Sequence, residues 1–363
     1  MNKHYIYAFL AVLVLFLISF LGSAIGLNWL FGVVLPYAAV VIFMVGFIRR
    51  MLGWGKVPVP FSIATTGGQQ KSFDWITPSS IDNPSSKWGV FVRMASEIVL
   101  FRSLFRNTRM RLEEGDRLTY KLEIWLWLGA LAFHYAFFVV LFRHLRFFME
   151  PVPLCVRLIE VVDSFFRVEI LYDTIQTGLP GLFLSGLVLL VAVSYLLIRR
   201  IIIPQVRYIS LLSDYFPLLL IFGIAFTGIL MRYVTKVDIM AIKTFTMGLV
   251  TFHPSIPDGI SPLFFTHLFF VCMLLVYFPF SKLMHLGGIF LSPTRNMRGD
   301  TRAVRYVNPW NYPVAVHTYD EYEEEFREKM HEAGLPLEKE FVPVVEEPEP
   351  AEDEAEPAKE QTE

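Results

Sequence analysis

Four of the eight histidines in this chain lie within or at the ends of long apolar runs: His134 and His144 in one, His267 and His285 in another. An ionisable side chain in such a run is costly and normally faces a bundle interior or a cavity. A single histidine there reads as a hydrogen-bonded packing residue or as one step of a proton path. Two runs with two histidines each, where the other runs have none, is a narrower pattern. Bis-histidine haem needs one imidazole from each of two facing helices, above and below the iron, and two haems stacked across a bilayer need two such pairs. With both axial positions filled, the iron has no open site for oxygen or substrate, so the chemistry is electron transfer. No residue is then assigned a catalytic role.

From His267 to His285 is 18 residues. On one straight helix that is five whole turns, which puts both imidazoles on one face about 27 Å apart. Pro279 interrupts that helix by removing a backbone donor. From His134 to His144 is 10 residues, about 15 Å along the axis and roughly 80° off a common face. The intervals differ, so helix crossing, the proline kink and tilted porphyrins must absorb the difference. The remaining histidines carry less. His4, His317 and His331 lie outside the apolar runs and read as surface residues. His253, in Phe252-His253-Pro254, sits in a loop, where a surface role stands against a functional one.

The elements that must position these residues are membrane helices. Hydrophobic residues make up 54% of the 363 and charged ones 18%, with 34 Phe. An ordinary soluble domain has fewer apolar and more charged residues, and a disordered chain far fewer apolar ones. A span needs about 20 mostly apolar residues. Between Lys3 and Arg49 there is no Asp, Glu, Lys or Arg, and the stretch Gly22–Asn28 divides that run into spans at 5–22 and 30–48. Further spans read at 124–143, 181–198, 215–231 and 262–284. The fold class is therefore all-α, a polytopic bundle of six transmembrane helices. A cleaved signal peptide is the alternative reading of the first.

Positive loops mark the cytoplasmic side. Segment 49–121 carries twelve Lys or Arg and six acids; Arg199, Arg200 and Arg207 follow the fourth span, and Arg295, Arg298, Arg302 and Arg305 the sixth. Loop 145–180 has five acids against three Arg. Six spans put both termini in the cytoplasm of a multi-pass protein of the cytoplasmic (inner) membrane. The third span then runs outward and the sixth returns. His144 and His267 form the outer pair, His134 and His285 the inner pair; a crossed pairing would stretch each iron site over most of the bilayer.

The chain divides into a two-span hairpin at 1–50, a cytoplasmic loop at 51–118, a four-span di-haem core at 119–290, a polar segment at 291–340 and an acidic tail at 341–363. Within the loop, Gly89–Phe105 (GVFVRMASEIVLFRSLF) has apolar residues at helical spacing with Arg93, Glu97 and Arg102 between them. It reads as a helix that lies on the membrane surface, docks a partner or simply flanks a span. Residues 344–363 contain nine acids and one Lys, which leaves the rest of the chain at +6. Such a Pro-rich acidic end cannot bury a core. The two cysteines, Cys155 and Cys272, are far apart and form no CxxC, which excludes a cysteine-held iron–sulfur cluster, a CxxCH haem attachment and a Cys₄ zinc site within the chain.

At FHYAFFVVLFRH (133–144) and HLFFVCMLLVYFPFSKLMH (267–285) the chain resembles the γ-type cytochrome b subunit of respiratory nitrate reductases. The 10- and 18-residue intervals and the Phe-Pro-Phe-Ser element are shared, over about residues 30–290. The extra first span, loop 51–118 and the segment SPTRNMRGDTRAVRYVNPWNY (292–312) look like the membrane cytochrome b subunits of the Dsr electron-transfer complex, which serves dissimilatory sulfite reductase. That resemblance implies two haem b groups and a menaquinol substrate oxidised near the outer haem. It also implies a cytoplasmic iron–sulfur partner similar to heterodisulfide reductase, which passes electrons towards a persulfide or trisulfide of a small sulfur carrier. A multihaem cytochrome c and a second membrane subunit complete some such complexes. The quinone-site lysine pattern of the nitrate reductase subunits is missing from loop 144–180, so the quinone residues stay unassigned.

The resulting expectation is the electron-transfer subunit of a quinol-dependent oxidoreductase in dissimilatory sulfate or sulfite metabolism. A nitrate-reductase-like or heterodisulfide-reductase cytochrome b with another acceptor is the nearest alternative. A transporter or proton channel with a histidine relay is more distant, since no acidic residue lies in a span as drawn and no inverted repeat of interrupted helices is visible. A silent membrane anchor is the third reading.

Overall fold

The computed structural model describes residues 3–57, 59, 62–63, 68–115, 117–165, 183–300 and 317–340. Arg167, Glu169 and Asp173 of the loop after the third span, Arg302, Arg305 and the acidic tail lie outside the described residues. The chain forms two units, Met1–Asn311 and Tyr312–Glu363.

Among the described residues of the first unit, six helices are long and apolar enough to cross a membrane: His4–Ala24, Leu30–Gly55, Ile124–Phe147, Leu184–Ile202, Leu212–Val234 and Pro262–Phe280. Their outer sides carry exposed Phe9, Leu13, Leu17, Val41 and Val45, an arrangement suited to lipid rather than water. Their inner sides meet in an aromatic core of Phe31, Leu220, Phe245, Phe264, Phe265, Phe269 and Phe270. Small residues let the backbones approach. A Cβ added at Gly46 in the second span would stand 2.7 Å from the Pro279 ring of the sixth. The third span packs chiefly on the fourth; the sixth packs on the first, second and fifth. Ion pairs fix which ends lie together: Arg199 of the fourth span meets Glu123, just before the third, at 2.6 Å. The end at which the chain begins is called the first face below, the opposite one the second face.

The spans shift by a few residues at their ends from the sequence expectation, and in two of them the difference bears on the charged and histidine side chains. The fifth helix starts at Leu212 and so takes Asp214 into its first turn, where Lys282 meets it at 2.7 Å and Arg200 at 3.8 Å. The sixth is not one helix over 262–284. It is helical over Pro262–Tyr277, tightens into a 3₁₀ turn at Phe278–Phe280 and is extended at Ser281; a second 3₁₀ turn and the short helix His285–Gly288 follow. Pro279 cannot donate to the ladder, and the Ser281 hydroxyl accepts from the Leu283 N–H at 3.2 Å to restart the chain. The five-turn argument for His267 and His285 therefore fails, because the two residues ride on different helical pieces. Single π-helical turns also open the second span (Leu30–Val34) and end the fifth (Leu230–Val234).

At the second face two shorter helices, Leu154–Phe165 and Ile239–Val250, cover the bundle end. The latter is too short to cross a bilayer, starts on the Asp238 side chain (which accepts from the Met240 N–H at 2.8 Å) and buries Phe245 completely. The Thr246 hydroxyl ties it to the third span through the Phe147 carbonyl at 2.6 Å.

At the first face the helix Lys87–Leu100 is inverted relative to a helix in water: Arg93 and Glu97 are buried while Trp88, Phe91 and Val99 are exposed. Glu97 accepts from the Ser103 N–H at 3.1 Å and the Ser103 hydroxyl at 2.6 Å, with Arg295 Nε at 3.9 Å. The Trp127 indole N–H and Tyr135 hydroxyl of the third span donate to the Leu100 and Val99 carbonyls at 2.7 and 3.0 Å. The helix end is thus pinned against the flank of a span. There the chain turns at Phe101, whose φ of 50° is left-handed, and runs into an antiparallel hairpin, β1 (Thr108–Glu113) with β2 (Arg117–Leu122). The Gly299 N–H donates to the Pro84 carbonyl at 2.8 Å, and the Lys71 N–H to the Gly299 carbonyl at 3.2 Å. Loop 68–106 and segment 292–300 therefore form one layer.

In the second unit, residues 317–340 build the helix Tyr319–Glu332, opened by a reciprocal cap between Thr318 and Glu321. Glu323 accepts from the Glu338 and Lys339 N–H groups, both at 2.9 Å, and so folds the following strand of chain back onto the helix.

Candidate functional site

The fold brings the four span histidines together two by two. His134 and His285 face each other with ring centres 6.0 Å apart and planes at 81°. His144 and His267 lie near enough for two protonated rings to repel one another. The pairs sit at two levels of the third span, ten residues and about 15 Å apart along its axis. His134, His144 and His267 are half-buried and His285 is exposed.

Each of these rings has its Nδ1 committed. Nδ1 lies 2.8 Å from the Ala130 carbonyl in His134, 2.7 Å from the Val140 carbonyl in His144 and 2.9 Å from the Lys282 carbonyl in His285. A carbonyl only accepts, so in all three Nδ1 carries the proton and Nε2 keeps a free lone pair. In His267 the Nδ1 partner is the Thr227 hydroxyl at 2.9 Å. That hydroxyl donates to the Gly223 carbonyl at 2.7 Å, so it accepts from His267 and gives the same tautomer. This is the second shell a metal-bound imidazole requires. The donor set fits iron held from both sides by Nε2. The 6.0 Å between the His134 and His285 rings leaves room for one metal at bonds of about 2 Å. His253 shows why the Nδ1 bond alone decides nothing. Its Nδ1 is 2.7 Å from the Thr251 carbonyl, yet it is exposed and faces no second histidine among the described residues.

Aromatic rings box in the sites. Phe101 and Phe133 stand edge-on to His134 at 4.9 and 5.0 Å, and Phe147 lies 5.9 Å from His144. Gly228 leaves His267 its place: a Cβ there would come 3.3 Å from the ring.

Around the His144/His267 pair is a charged cluster that spacing arguments did not reveal. Arg143, buried, pairs with buried Asp163, which also accepts from the Ser185 N–H at 3.1 Å and the Ser185 hydroxyl at 2.7 Å. Arg143 and Arg232 each stand 4.1 Å from the centre of the Phe183 ring, a cation–π stack that lets two guanidiniums share a confined site. Arg146 pairs with Glu160, and Lys243 with Glu150. The sequence signal that existed was weak: Arg143 and Arg146 flank His144, and Asp163 and Glu160 appear only as loop acids. Thr227 carried no signal, being 40 residues from the ring it serves.

The first-face layer has its own electrostatic knot. Burial works against ionisation of Asp82, but the guanidiniums of Arg102 and Arg106 outweigh it and hold the carboxyl below the ordinary carboxylate range.

Residues 88–305 match the protein family described as nitrate reductase gamma subunit. Two curated proteins, both described as an Hdr-like menaquinol oxidoreductase cytochrome b-like subunit, are similar over most of their length. The one from Archaeoglobus fulgidus is 44% identical over 289 residues, 78% of this chain and 83% of that protein. The one from Archaeoglobus profundus is 42% identical over 284 residues, 76% of this chain and 81% of that protein.

Proposed function

Because this chain belongs to the nitrate reductase gamma subunit family, we propose that it is the di-haem b membrane subunit of a menaquinol-dependent oxidoreductase. His134 and His285 hold one haem iron and His144 and His267 the other, each through Nε2. Bound there, the haems supply one-electron transfer between the two faces. The observation that carries the reading is the pairing of four histidines at two depths, every one with Nδ1 already bonded to an acceptor.

The protein lies in the cytoplasmic membrane with both termini in the cytoplasm, as the basic first-face segments favour. Menaquinol is oxidised at the second face beside the His144/His267 pair and releases its protons there. A haem held by His134 and His285 would supply electrons to a cytoplasmic iron–sulfur subunit of heterodisulfide-reductase type, docked on the layer of loop 68–106 and segment 292–300. In the form nearest the sequence resemblance, this is the membrane cytochrome of a Dsr-type complex in dissimilatory sulfite metabolism, alongside a multihaem cytochrome c and a second membrane subunit. Moving an electron inward against a potential negative inside costs about 2.3 kcal/mol per charge per 100 mV, so flow in that direction conserves energy.

The test is spectral. Protein extracted from iron-replete cells should show a reduced b-type α-band and two haems per chain. His144→Ala and His267→Ala should remove one haem, and His134→Ala and His285→Ala the other. A colourless protein, or matching losses from His144 and His285 changes, overturns the reading. Co-purification of the native soluble partner separates the sulfite-linked form from a nitrate- or heterodisulfide-linked one.

A further inference from the structure

The helix Lys87–Leu100 turns its apolar stripe outward. Trp88 is 72% exposed and Phe91 59%, and Val92 and Val99 are exposed as well. At 100° per residue these four positions fall within a stripe roughly 100° wide. Arg93 and Glu97, only 4% and 7% exposed, point about 170° away from its centre. A helix bathed in water on its outer side has the opposite arrangement. We propose that this helix lies in the plane of the membrane, in the leaflet at the first face, with Trp88, Phe91, Val92 and Val99 against lipid.

Depth decides between lipid and water. The Trp127 indole N–H and the Tyr135 hydroxyl donate to the Leu100 and Val99 carbonyls at 2.7 and 3.0 Å. They stand on the third span, which starts at Ile124, about 5 and 16 Å along its axis from that start. The end of the helix is therefore held between those two levels, beside the flank of a membrane span. The ring of Phe101, the next residue, reaches His134 at 4.9 Å, which fixes the same level. The last carbonyls of any helix lack a partner within it. Water satisfies them at a surface, but in lipid the protein itself must supply a donor. Trp127 and Tyr135 supply two, and both are residue types that gather at the membrane boundary.

The stripe also continues a surface that meets lipid. Around the joint the third span exposes Trp125, Leu128 and Tyr135. The charged side turns into protein instead, where Ser103 and Arg295 meet Glu97. Lys87, exposed at the other end of the helix, can extend to lipid head groups while its stem stays on the apolar side. A soluble subunit can land on the water side of the layer formed with segment 292–300, but not on a stripe level with the flank of a span. Lipid contact thus holds the helix that carries Phe101 to His134. This contact is independent of what the histidine pairs carry.

The test uses the full-length protein in vesicles of phosphatidylcholine and phosphatidylglycerol. Cys155→Ser removes the exposed cysteine and leaves the buried Cys272. A nitroxide attached at Phe91→Cys, and separately at Val92→Cys, reports collisions with oxygen, which concentrates in lipid, and with a nickel chelate, which stays in water. Relative to a label at Glu114→Cys in the hairpin turn, both should favour oxygen over nickel about tenfold, at a depth of about 5–10 Å into the boundary between head groups and acyl chains. Val41→Cys on the second span marks the deeper limit. Either label suffices if one variant fails to fold. A label as open to nickel as that at Glu114→Cys puts the stripe in water and overturns the proposal. A label shut off from both reagents overturns it too: in the protein alone the cover is a second copy, and only with co-purifying subunits present it is a partner.

Discussion

Replacing Thr227 by Val removes one hydroxyl from the second-face site and keeps the rest of the side chain. The hydroxyl is the sole side-chain group that orients one of the four histidines; the other three lean on backbone carbonyls. Thr227 is 2% exposed, and valine matches its shape, so no cavity opens and packing stays. What changes is that His267 loses its hydroxyl acceptor at 2.9 Å and falls back on the Ile224 carbonyl. Losing one such hydrogen bond while a second acceptor remains costs about 0.5–1.5 kcal/mol. Removing a ligand's outer partner typically lowers metal affinity 10–100-fold, or about 1.4–2.8 kcal/mol at 1.4 kcal/mol per decade. The two estimates overlap at about tenfold. Haem titration of the apo-protein, followed by pyridine haemochrome, should therefore show one site weakened by that factor and the other unchanged. Thr227→Ser, which keeps the oxygen, should restore most of the affinity. Equal loss at both sites, no loss at either, or a serine variant as weak as valine would refute the role given to this hydroxyl.

Three further outcomes are expected. Arg143→Leu strands Asp163 inside the bundle and should cost about 3–5 kcal/mol, read as a lower Tm in detergent, while adding Asp163→Leu should return much of the loss. Asp82, with its carboxyl lowered by Arg102 and Arg106, contributes its full stability above the unfolded carboxylate value near pH 4. That contribution disappears only as pH falls through the lowered native value, so limited proteolysis of loop 68–106 should be flat from pH 8 to 5 and rise below about 4; loosening near pH 6 would count against the knot. Phe101→Gly relieves a left-handed backbone strain of about 1–3 kcal/mol but strips the ring from His134. The variant should be no less stable to heat, yet the haem proposed at His134 and His285 should be oxidised faster by ferricyanide.

The spans were legible because a lipid-facing helix has to be apolar for most of its length, as Lys3–Arg49 and Ile124–His144 are. The break after Tyr277 was half legible. Pro279 marks it, but the extended Ser281 depends on a hydroxyl two residues from the amide it caps. The helix Lys87–Leu100 was visible as an amphipathic pattern whose orientation was not, because periodicity does not say which medium each face meets. Glu97 turns inward because Ser103 and Arg295 meet it there, and Arg93 faces the same way with Glu97 as its counter-charge. The helix Ile239–Val250 is apolar but too short for a span, so a search for span-length runs does not pick it out. The Arg143–Asp163 pair and the Thr227–His267 contact join residues 20 and 40 positions apart across chain reversals, where no period exists to announce them.

The joint at Ser281 has a mechanical corollary. His267 is built into a long rod clamped by three neighbouring helices, whereas His285 sits on a one-turn segment that leads straight into the surface layer at 292–300. On the proposed reading, a protein landing on that layer would pull on His285 and leave His267 in place. Arrival and departure of that partner would then be felt at one of the two histidine pairs, with the far pair held steady.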